Sequence, residues 1–196
     1  MPEPTPSRTK QAGRLVSALL RSPALYWIAA ILVGGAILAS WVEAVGGPEA
    51  IHARFGTLAP LVTGTVQLVL APTPIPTDLI CIAHGTLYGF FFASVLNWLG
   101  WWLGSLVEFA IGRRIGADLD LAASADRVPG WLRRFPVDHP IYLIGSRQVP
   151  VVGSHLSTSV PGAVGVPFHR VAWCSAIGVI PGAAFFAAIG AGLLQL

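Results

Sequence analysis

Residues 70–78 read LAPTPIPTD, with prolines at every second position from 72 to 76. Each proline lacks an amide donor and clashes with the preceding helical turn, so the stretch cannot continue a regular helix. It lies in an apolar region, 55–112, whose charged residues are Asp78 and Glu108. Irregular backbone is tolerated at membrane depth only where it is buried in protein or lines a wet cavity. We therefore predict a re-entrant hairpin with helices at 57–71 and 77–85, followed by a span at 88–112.

The composition indicates a membrane protein. Of the 196 residues, 54% are apolar and only 11% are charged, and the mean hydropathy is +0.69. Soluble domains carry roughly 25% charged residues, whereas a bilayer is spanned by about 20 apolar ones. These values exclude a soluble enzyme, a disordered chain and a nucleic-acid-binding protein, and they predict an all-α integral membrane protein. The charge-free runs are 22–42, 55–77, 79–107, 148–169 and 171–196.

The chain divides into a tail and one membrane domain. Residues 1–22 are polar and rich in proline and serine, so we expect a disordered cytoplasmic tail. Residues 23–196 form the predicted membrane domain, which begins with a transmembrane helix at 24–41. The alternative, a signal peptide cleaved after Ala44, is disfavoured because its apolar run is long for one. The other predicted segments are a short acidic loop at 43–56, a polar segment at 113–140, a second broken hairpin at 141–166 and a last span at 168–192.

Lysine and arginine indicate the topology, because cytoplasmic loops carry an excess of both. The tail has four such residues and the 113–140 segment has five, whereas the 43–56 loop has one. The tail and the 113–140 segment are therefore expected in the cytoplasm. This arrangement makes the two hairpins enter the membrane from opposite faces.

An internal repeat relates the two halves. Residues 97–112 read NWLGWWLGSLVEFAIG, and residues 175–190 read SAIGVIPGAAFFAAIG, so that three glycines coincide at an offset of 78. Pro72 and Pro150 share this offset. Because the halves enter from opposite faces, we predict two inverted repeats, each a re-entrant hairpin plus a transmembrane helix, with a substrate site where they meet. The alternative is that the glycines recur only for tight helix packing.

Three ionisable residues lie in the apolar stretches: Asp78, Glu108 and Arg147. A charge in the membrane costs at least about 2.5–3.5 kcal/mol, so each is a functional candidate. Asp78 and Arg147 lie on the two hairpins and are expected to meet, with the Arg147 fork binding a phosphate headgroup. The alternative is a structural ion pair that only fastens the hairpins together. Glu108 is expected to extend to the cytoplasmic interface, within reach of the arginines that follow it.

The remaining polar residues carry weaker signals. His84 and His155 each lie in a predicted hairpin and are candidate proton relays; the alternative is hydrogen-bonded packing beside serines and threonines. The sequence contains no phosphate-binding glycine loop, no catalytic serine–histidine–aspartate order and no metal-ligand spacing. We therefore predict no enzyme activity, no catalytic residue, no metal and no cofactor.

Three stretches together resemble a known family: PIPTDLICIAHGTLYG at 74–89, FAIGRRIG at 109–116, and SRQVPVVGSHLSTSVPGAVGVPFHRVAWCSAIGVIPG at 146–182. Their order and spacing are similar to those of the DedA / SNARE-associated Golgi protein superfamily, also called the VTT-domain family, over about 57–192. The resemblance implies two re-entrant hairpins that face each other. It also implies movement of lipids between leaflets, namely undecaprenyl-phosphate or phospholipid flipping in bacteria and scrambling in eukaryotic relatives.

The resemblance also assigns residues. Asp78 matches the acidic position after the first proline motif, and Arg147 with Pro150 matches the arginine–proline motif of the second hairpin. Many family members carry a second arginine after the proline that Pro150 matches, and an acidic residue before the first proline motif. This chain has no arginine directly after Pro150, and before the first proline motif the nearest polar side chain is that of Gln67. It is therefore more similar to the Golgi-type branch than to the proton-dependent branch.

We expect a flippase- or scramblase-like transporter of a phosphate-headgroup lipid in a bacterial plasma membrane, with a cytoplasmic N-terminus. The alternatives are a proton- or ion-coupled transporter of a small solute and a non-transporting membrane scaffold. The expected partners are membrane lipids and not nucleic acid, while proton coupling and homo-oligomerisation stay open. The predicted substrate-binding residues are Arg147, Asp78, Pro150, Pro76, His155 and Ser157, and the predicted proton relays are Asp78, His84 and His155.

Overall fold

The computed structural model describes residues 23–73, 75–118, 136–149 and 153–194, and over these residues the chain is helical without a strand. The predicted tail at 1–22 lies outside this part. The helices are α1 (Pro23–Val45), α2 (Gly47–Phe55), α3 (Ala59–Leu70), α4 (Asp78–Tyr88), α5 (Phe90–Asp118), α6 (Pro140–Gly145), α7 (Gly153–Ala163), α8 (Phe168–Gly178) and α9 (Ile180–Gly190).

The segment after the first helix differs from the prediction. The acidic loop expected at 43–56 is largely helix α2, which makes that prediction wrong. Gly46 has φ of 99°, in the left-handed region, and separates α2 from α1. Pro48 and Glu49 lie in the first turn of α2, and Arg54 lies in its last. A proline is tolerated in the first turn, where its missing amide donor is not needed, and the acidic and basic side chains interact favourably with the helix dipole at the two ends.

The first hairpin consists of α3 and α4, separated by the proline-rich break. The Thr73 hydroxyl stabilises this break, donating to the Leu70 carbonyl at 2.6 Å and accepting from the Ile75 amide at 3.2 Å. One side chain thus replaces part of the hydrogen bonding that the prolines remove. The predicted helix–break–helix order is confirmed, whereas the re-entrant path of the hairpin through the bilayer stays a prediction.

The two long helical segments were predicted with different accuracy. Helix α5 runs to Asp118, six residues beyond the predicted end of the span at 88–112. The last span, predicted as one element at 168–192, consists of α8 and α9 with a break at Val179. Pro181 lies in the first turn of α9, where its missing amide donor is tolerated, and this proline explains why the helix restarts there.

Length, composition and surface all indicate a membrane protein. Three helical stretches in the described part are long and apolar enough to cross a bilayer: Gly47–Leu70, Phe90–Asp118 and Phe168–Gly190. Large apolar side chains also face outward, with Phe91 83% exposed and Leu79 75% exposed. Such an apolar surface is expected where lipid replaces water. The prediction of an all-α membrane protein is confirmed.

The second hairpin repeats the pattern of the first. Helix α6 continues as a short 3₁₀ helix, Ser146–Gln148, and α7 follows after the break. Gly153, the first residue of α7, lies directly against the Ser146 carbonyl, so the two arms of the hairpin are in contact. This contact fixes the position of the 3₁₀ helix, which carries Arg147.

Helices α5 and α8 run antiparallel. The indole nitrogen of Trp98 donates to the Ala176 carbonyl at 2.7 Å, and that of Trp102 donates to the Ala172 carbonyl at 2.9 Å. Later residues of α5 thus contact earlier residues of α8. Since the repeat equates α5 with α8 and α9, the two halves have opposite orientations, as predicted for inverted repeats.

The halves also pack reciprocally, because α7 lies along α5 and α4 lies along α9. A Cβ placed on Gly162 would lie 3.0 Å from the Arg113 amide nitrogen, and one placed on Gly85 would lie 3.0 Å from the Ala191 amide nitrogen. Arg113 and Ala191 are themselves related by the offset of 78. Each half therefore provides the surface on which the hairpin of the other half packs.

We predict that Gly112→Ala destabilises the protein by about 1–3 kcal/mol, because the new methyl group would overlap the Ser159 carbonyl of α7 and backbone cannot easily move away. The measurement is thermal unfolding of the purified protein in detergent. The control is Gly34→Ala on α1, where no heavy atom lies within 4 Å of the added carbon. Equal melting temperatures for the two variants would contradict this account of the α5–α7 contact.

Candidate functional site

The expected ion pair between Asp78 and Arg147 does not form in the structure. Asp78 is exposed at the first residue of α4 and has no ion pair with Arg147, although both residues are described. The unpaired amides at a helix N-terminus favour a carboxylate there, and this gives Asp78 a stabilising environment of its own. Pro76, which precedes it, is also exposed. A joint site made by Asp78 and Arg147 is therefore not observed.

Arg147 lies on the 3₁₀ helix of the second hairpin and extends over α8. Its Nη2 donates to the Ser175 hydroxyl at 2.9 Å, while its Nε is buried and has no hydrogen-bond partner among the described residues. A Cβ on Gly178 would lie 2.7 Å from the Arg147 Cδ, so this glycine leaves the space that the side chain occupies. The half-buried Arg147 side chain thus contains a buried donor, Nε, that is unused.

Glu108 is buried, and its predicted position at the cytoplasmic interface is wrong. The residue is 5% exposed, and its Oε2 accepts a hydrogen bond from the Thr158 hydroxyl at 2.5 Å. The Nδ1 of His155 lies 3.4 Å from the Oε1 of Glu108. The prediction failed because α5 continues to Asp118, ten residues further, which at about 1.5 Å per residue places Glu108 well inside the helix.

Glu108 and Arg147 do not form an ion pair. Both residues are described, and no carboxylate oxygen of Glu108 lies within ion-pair distance of the Arg147 guanidinium. The exposed Arg114 and the half-exposed Arg170 pair with other carboxylates, those of Asp118 and Asp138. The buried carboxylate of Glu108 on α5 and the half-buried guanidinium of Arg147 on the second hairpin are thus separate charged groups.

The other predicted residues of the second hairpin have different surroundings. The His155 side chain is 44% exposed and forms the outer edge of the Glu108 cluster. Ser157 is buried on α7. Pro150 lies outside the described residues, so its predicted role in substrate binding stays a prediction.

His84 belongs to a separate polar cluster in the first half. Asn97 Nδ2 donates to the Cys81 carbonyl at 3.1 Å, which turns Asn97 Oδ1 toward His84 Nδ1 at 2.7 Å. Since an amide oxygen only accepts, His84 Nδ1 carries a hydrogen. Gln67 Nε2 donates to the Asn97 carbonyl at 3.2 Å. His84 Nε2 and Gln67 Oε1 are buried and have no partner among the described residues.

The repeat relates the two polar clusters to each other. A Cβ on Gly100 would lie 2.7 Å from the Gln67 side chain, as one on Gly178 would from Arg147. Two pairs of residues, Gly100 with Gly178 and Asn97 with Ser175, share the offset of 78. Each long helical segment therefore presents a glycine to the first arm of its own hairpin. That arm carries a neutral amide in the first half and a cation in the second.

Sequence reasoning missed three residues of these clusters: Asn97, Thr158 and Ser175. A signal for two of them was present, because the aligned repeat begins with Asn97 opposite Ser175. Thr158 carried no comparable signal, since its role depends on how α7 packs on α5. No three His, Cys, Asp or Glu side chains cluster as metal ligands within the described ranges.

The comparison with known families identifies one match. The VTT domain matches residues 75–192, which include both polar clusters except Gln67. No curated protein and no solved structure matches the chain significantly. The matched range is more than half of the chain and covers everything from the first hairpin break to the end of α9.

We predict that Thr158→Val destabilises the protein by about 1.5–3 kcal/mol, because it removes a hydrogen bond to a buried charged group. The control is Thr65→Val on α3, where the exposed hydroxyl bonds only the Leu61 carbonyl of its own helix. Thermal unfolding in detergent measures both variants. If Thr158→Val unfolds no earlier than Thr65→Val, the Thr158–Glu108 bond contributes little to stability.

Proposed function

Because the chain belongs to the VTT-domain family, we propose that it moves a lipid with a phosphate headgroup between the leaflets of its membrane, with Arg147 binding the phosphate. This is a transport activity without a chemical reaction. The proposed partners are therefore membrane lipids.

One observation carries the proposal: the hydrogen bonding of the Arg147 guanidinium is incomplete. Its described hydrogen-bond partner is a neutral hydroxyl, on Ser175, and its Nε donor is buried and unused. A half-buried guanidinium with one buried, unpaired donor and no ion pair is stabilised when an anion binds it. Its planar fork of donors matches the geometry of a phosphate oxygen pair. A phosphate headgroup would supply both the charge and the missing acceptor.

An apolar groove between α5 and α9 favours a lipid over a hydrophilic solute. The groove is open, has apolar walls and measures about 230 Å³. It lies between α5 and α9 beside Trp98, whose indole binds the carbonyl of Ala176, the residue that follows Ser175. Its walls can accommodate an acyl chain. The groove is lined by Ser94, Val95, Trp98, Ile180, Ala183 and Ala184.

The first hairpin has a different part in the proposal. Asp78 and Pro76 are exposed at its break, and Asp78 forms no ion pair with Arg147. We propose that they contact a headgroup on its path and do not share it with Arg147. His155, at the outer edge of the Glu108 cluster, would contact the headgroup before Arg147 does.

We further propose a bacterial plasma membrane and a cytoplasmic N-terminus. The support for the orientation is the arginine content of the chain, because Arg113 and Arg114 lie in the last two turns of α5 and the adjoining segment contains three more arginines. A reporter that is active only outside the cytoplasm, fused after Asp118, is expected to be inactive in cells. High activity of that fusion would reverse the proposed orientation.

We predict that Arg147→Ala lowers lipid movement in reconstituted liposomes to the rate of protein-free vesicles, and that Arg147→Lys restores only a small part of it. Lysine keeps the charge but lacks the planar fork. The measurement follows a fluorescent phosphatidylglycerol probe and its accessibility to a reductant added outside.

The matched control is Arg170→Ala on α8, since this arginine is half-exposed and pairs with Asp138 at 3.4 Å. We expect it to move lipid at the wild-type rate. Wild-type protein no faster than empty vesicles would refute lipid movement. Equal rates for wild type and Arg147→Ala would remove Arg147 from the mechanism.

A proton-coupled solute transporter is the second candidate, and the unpartnered Nε2 of buried His84 favours it. It predicts pH-dependent flux of a solute that Asp78→Asn or His84→Gln abolishes. A flux that is flat with pH in the wild type would argue against it.

For a scaffold, by contrast, Gly100 and Gly178 would have to contact a partner helix, whereas both contact side chains of their own chain.

A further inference from the structure

We propose that the last turn of α8 positions Arg147 for the headgroup, with Ser175 and Gly178 as positioning residues that act through neutral contacts. The inference rests on the proposed function, because it concerns the guanidinium group that binds the phosphate. It assigns a role in headgroup binding to α8, a helix outside both hairpins.

Three contacts fasten the 3₁₀ helix of the second hairpin to this turn. Arg147 Nη2 donates to the Ser175 hydroxyl at 2.9 Å, and Arg147 Cδ lies only 2.7 Å from the place where a Cβ of Gly178 would be. Gln148 Nε2 donates to the Gly178 carbonyl at 3.0 Å. Two consecutive residues of the 3₁₀ helix thus contact two α8 residues that are one turn apart, and these contacts hold the Arg147 side chain at both its stem and its head.

The end of α8 supplies a favourable electrostatic environment for the guanidinium. Gly178 is the last residue of α8, and the last carbonyls of a helix lack intrahelical partners and carry the negative end of the helix dipole. No carboxylate in the described part of the chain lies within ion-pair distance of Arg147. Arg147 is therefore held by neutral groups, so that a phosphate does not have to displace a carboxylate in order to bind it.

The bond to Ser175 leaves most of the guanidinium free for a ligand. A guanidinium has five N–H donors, and this bond uses one of them. An arginine side chain that is free to rotate loses rotamer freedom when it binds an anion, whereas one that is already held has lost this freedom beforehand. Ser175 is 1% exposed, so its hydroxyl holds the guanidinium from a fixed position inside the protein. The hydroxyl is therefore expected to strengthen headgroup binding through Arg147.

The first half offers an internal comparison. Gly100 is related to Gly178 by the offset of 78, and a Cβ there would lie 2.7 Å from the Gln67 side chain, the same distance as between a Gly178 Cβ and Arg147. One substitution, glycine to alanine, therefore displaces a neutral amide in one half and the cation in the other. The two variants crowd a side chain equally closely, but only Gly178→Ala moves Arg147.

The experiment measures the affinity of the full-length protein in detergent for two lipids with the same short acyl chains, phosphatidylglycerol and diacylglycerol. The rise in melting temperature with lipid concentration gives each affinity. The ratio of the two affinities reports the contribution of the phosphate headgroup, and a merely structural change would affect both lipids alike.

Ser175→Ala is expected to lower this ratio roughly tenfold, the order of effect of one hydrogen bond to a charged group. Ser175→Thr keeps the hydroxyl and is expected to keep most of the wild-type ratio. Gly178→Ala is expected to lower the ratio as well. An unchanged or raised ratio in Ser175→Ala overturns the proposal, and this holds also if Gly178→Ala does not fold.

The controls are Ser105→Ala and Gly100→Ala. The Ser105 hydroxyl is 4% exposed by residue and donates to the Trp102 carbonyl of its own helix at 2.6 Å, so its loss leaves Arg147 untouched. Both controls are expected to keep the wild-type ratio, even where the melting temperature of the lipid-free protein falls. A fall of the ratio in the controls as large as in Ser175→Ala and Gly178→Ala would overturn the positioning role.

Arg147→Ala separates the failure of this inference from the failure of the proposed function. If Arg147→Ala lowers the ratio but Ser175→Ala does not, phosphate binding by Arg147 is supported and the positioning role is refuted alone. If neither variant lowers it, Arg147 does not bind the headgroup and both proposals are refuted. If both variants lower it but wild-type liposomes show no lipid movement, transport is refuted and the positioning role is supported.

Discussion

The structure depends on the close backbone contact between each hairpin and the long helical segment of the opposite half. Helix α7 lies on α5, and α4 lies on α9, with glycines at the points where the backbones meet. In a membrane, where no hydrophobic effect drives helices together, such close packing of small residues is a main source of association. The contact also explains the candidate site, because Glu108 comes from one half while Thr158 and His155 come from the other.

The sequence predicted which segments are helical better than it predicted which residues meet. Proline spacing and hydropathy determine where helices can and cannot form, so the break at residues 70–78 and the long apolar helices were correctly expected. Whether Asp78 meets Arg147 depends on how far each helix is rotated about its axis, and no pattern along the chain reports this. Glu108 was misjudged for a related reason. Its depth depends on the end of α5, which lies six residues later than the hydropathy pattern indicated.

The two polar clusters show how an inverted repeat can become unequal. Both halves keep the glycine and the small polar residue of the long segment, at Gly100 and Asn97 and again at Gly178 and Ser175. The side chain that fills the space is Gln67 in one half and Arg147 in the other. The common geometry therefore belongs to the fold, while the charge belongs to only one half. A charge in a membrane is expensive, and the half-buried, unpaired charge of Arg147 is what makes its hairpin the functional candidate.

The packing of α4 on α9 also has a consequence for biosynthesis. Thr86 on α4 donates to the Gly190 carbonyl, a contact between residues 104 positions apart. The first hairpin therefore leaves the ribosome well before its packing surface has been made. Until α9 is synthesised, the backbone around Gly85 lacks the protein surface that covers it in the finished fold. Contacts of such high sequence separation form late, so the order of synthesis makes α4 one of the first helices to be made and one of the last to be packed.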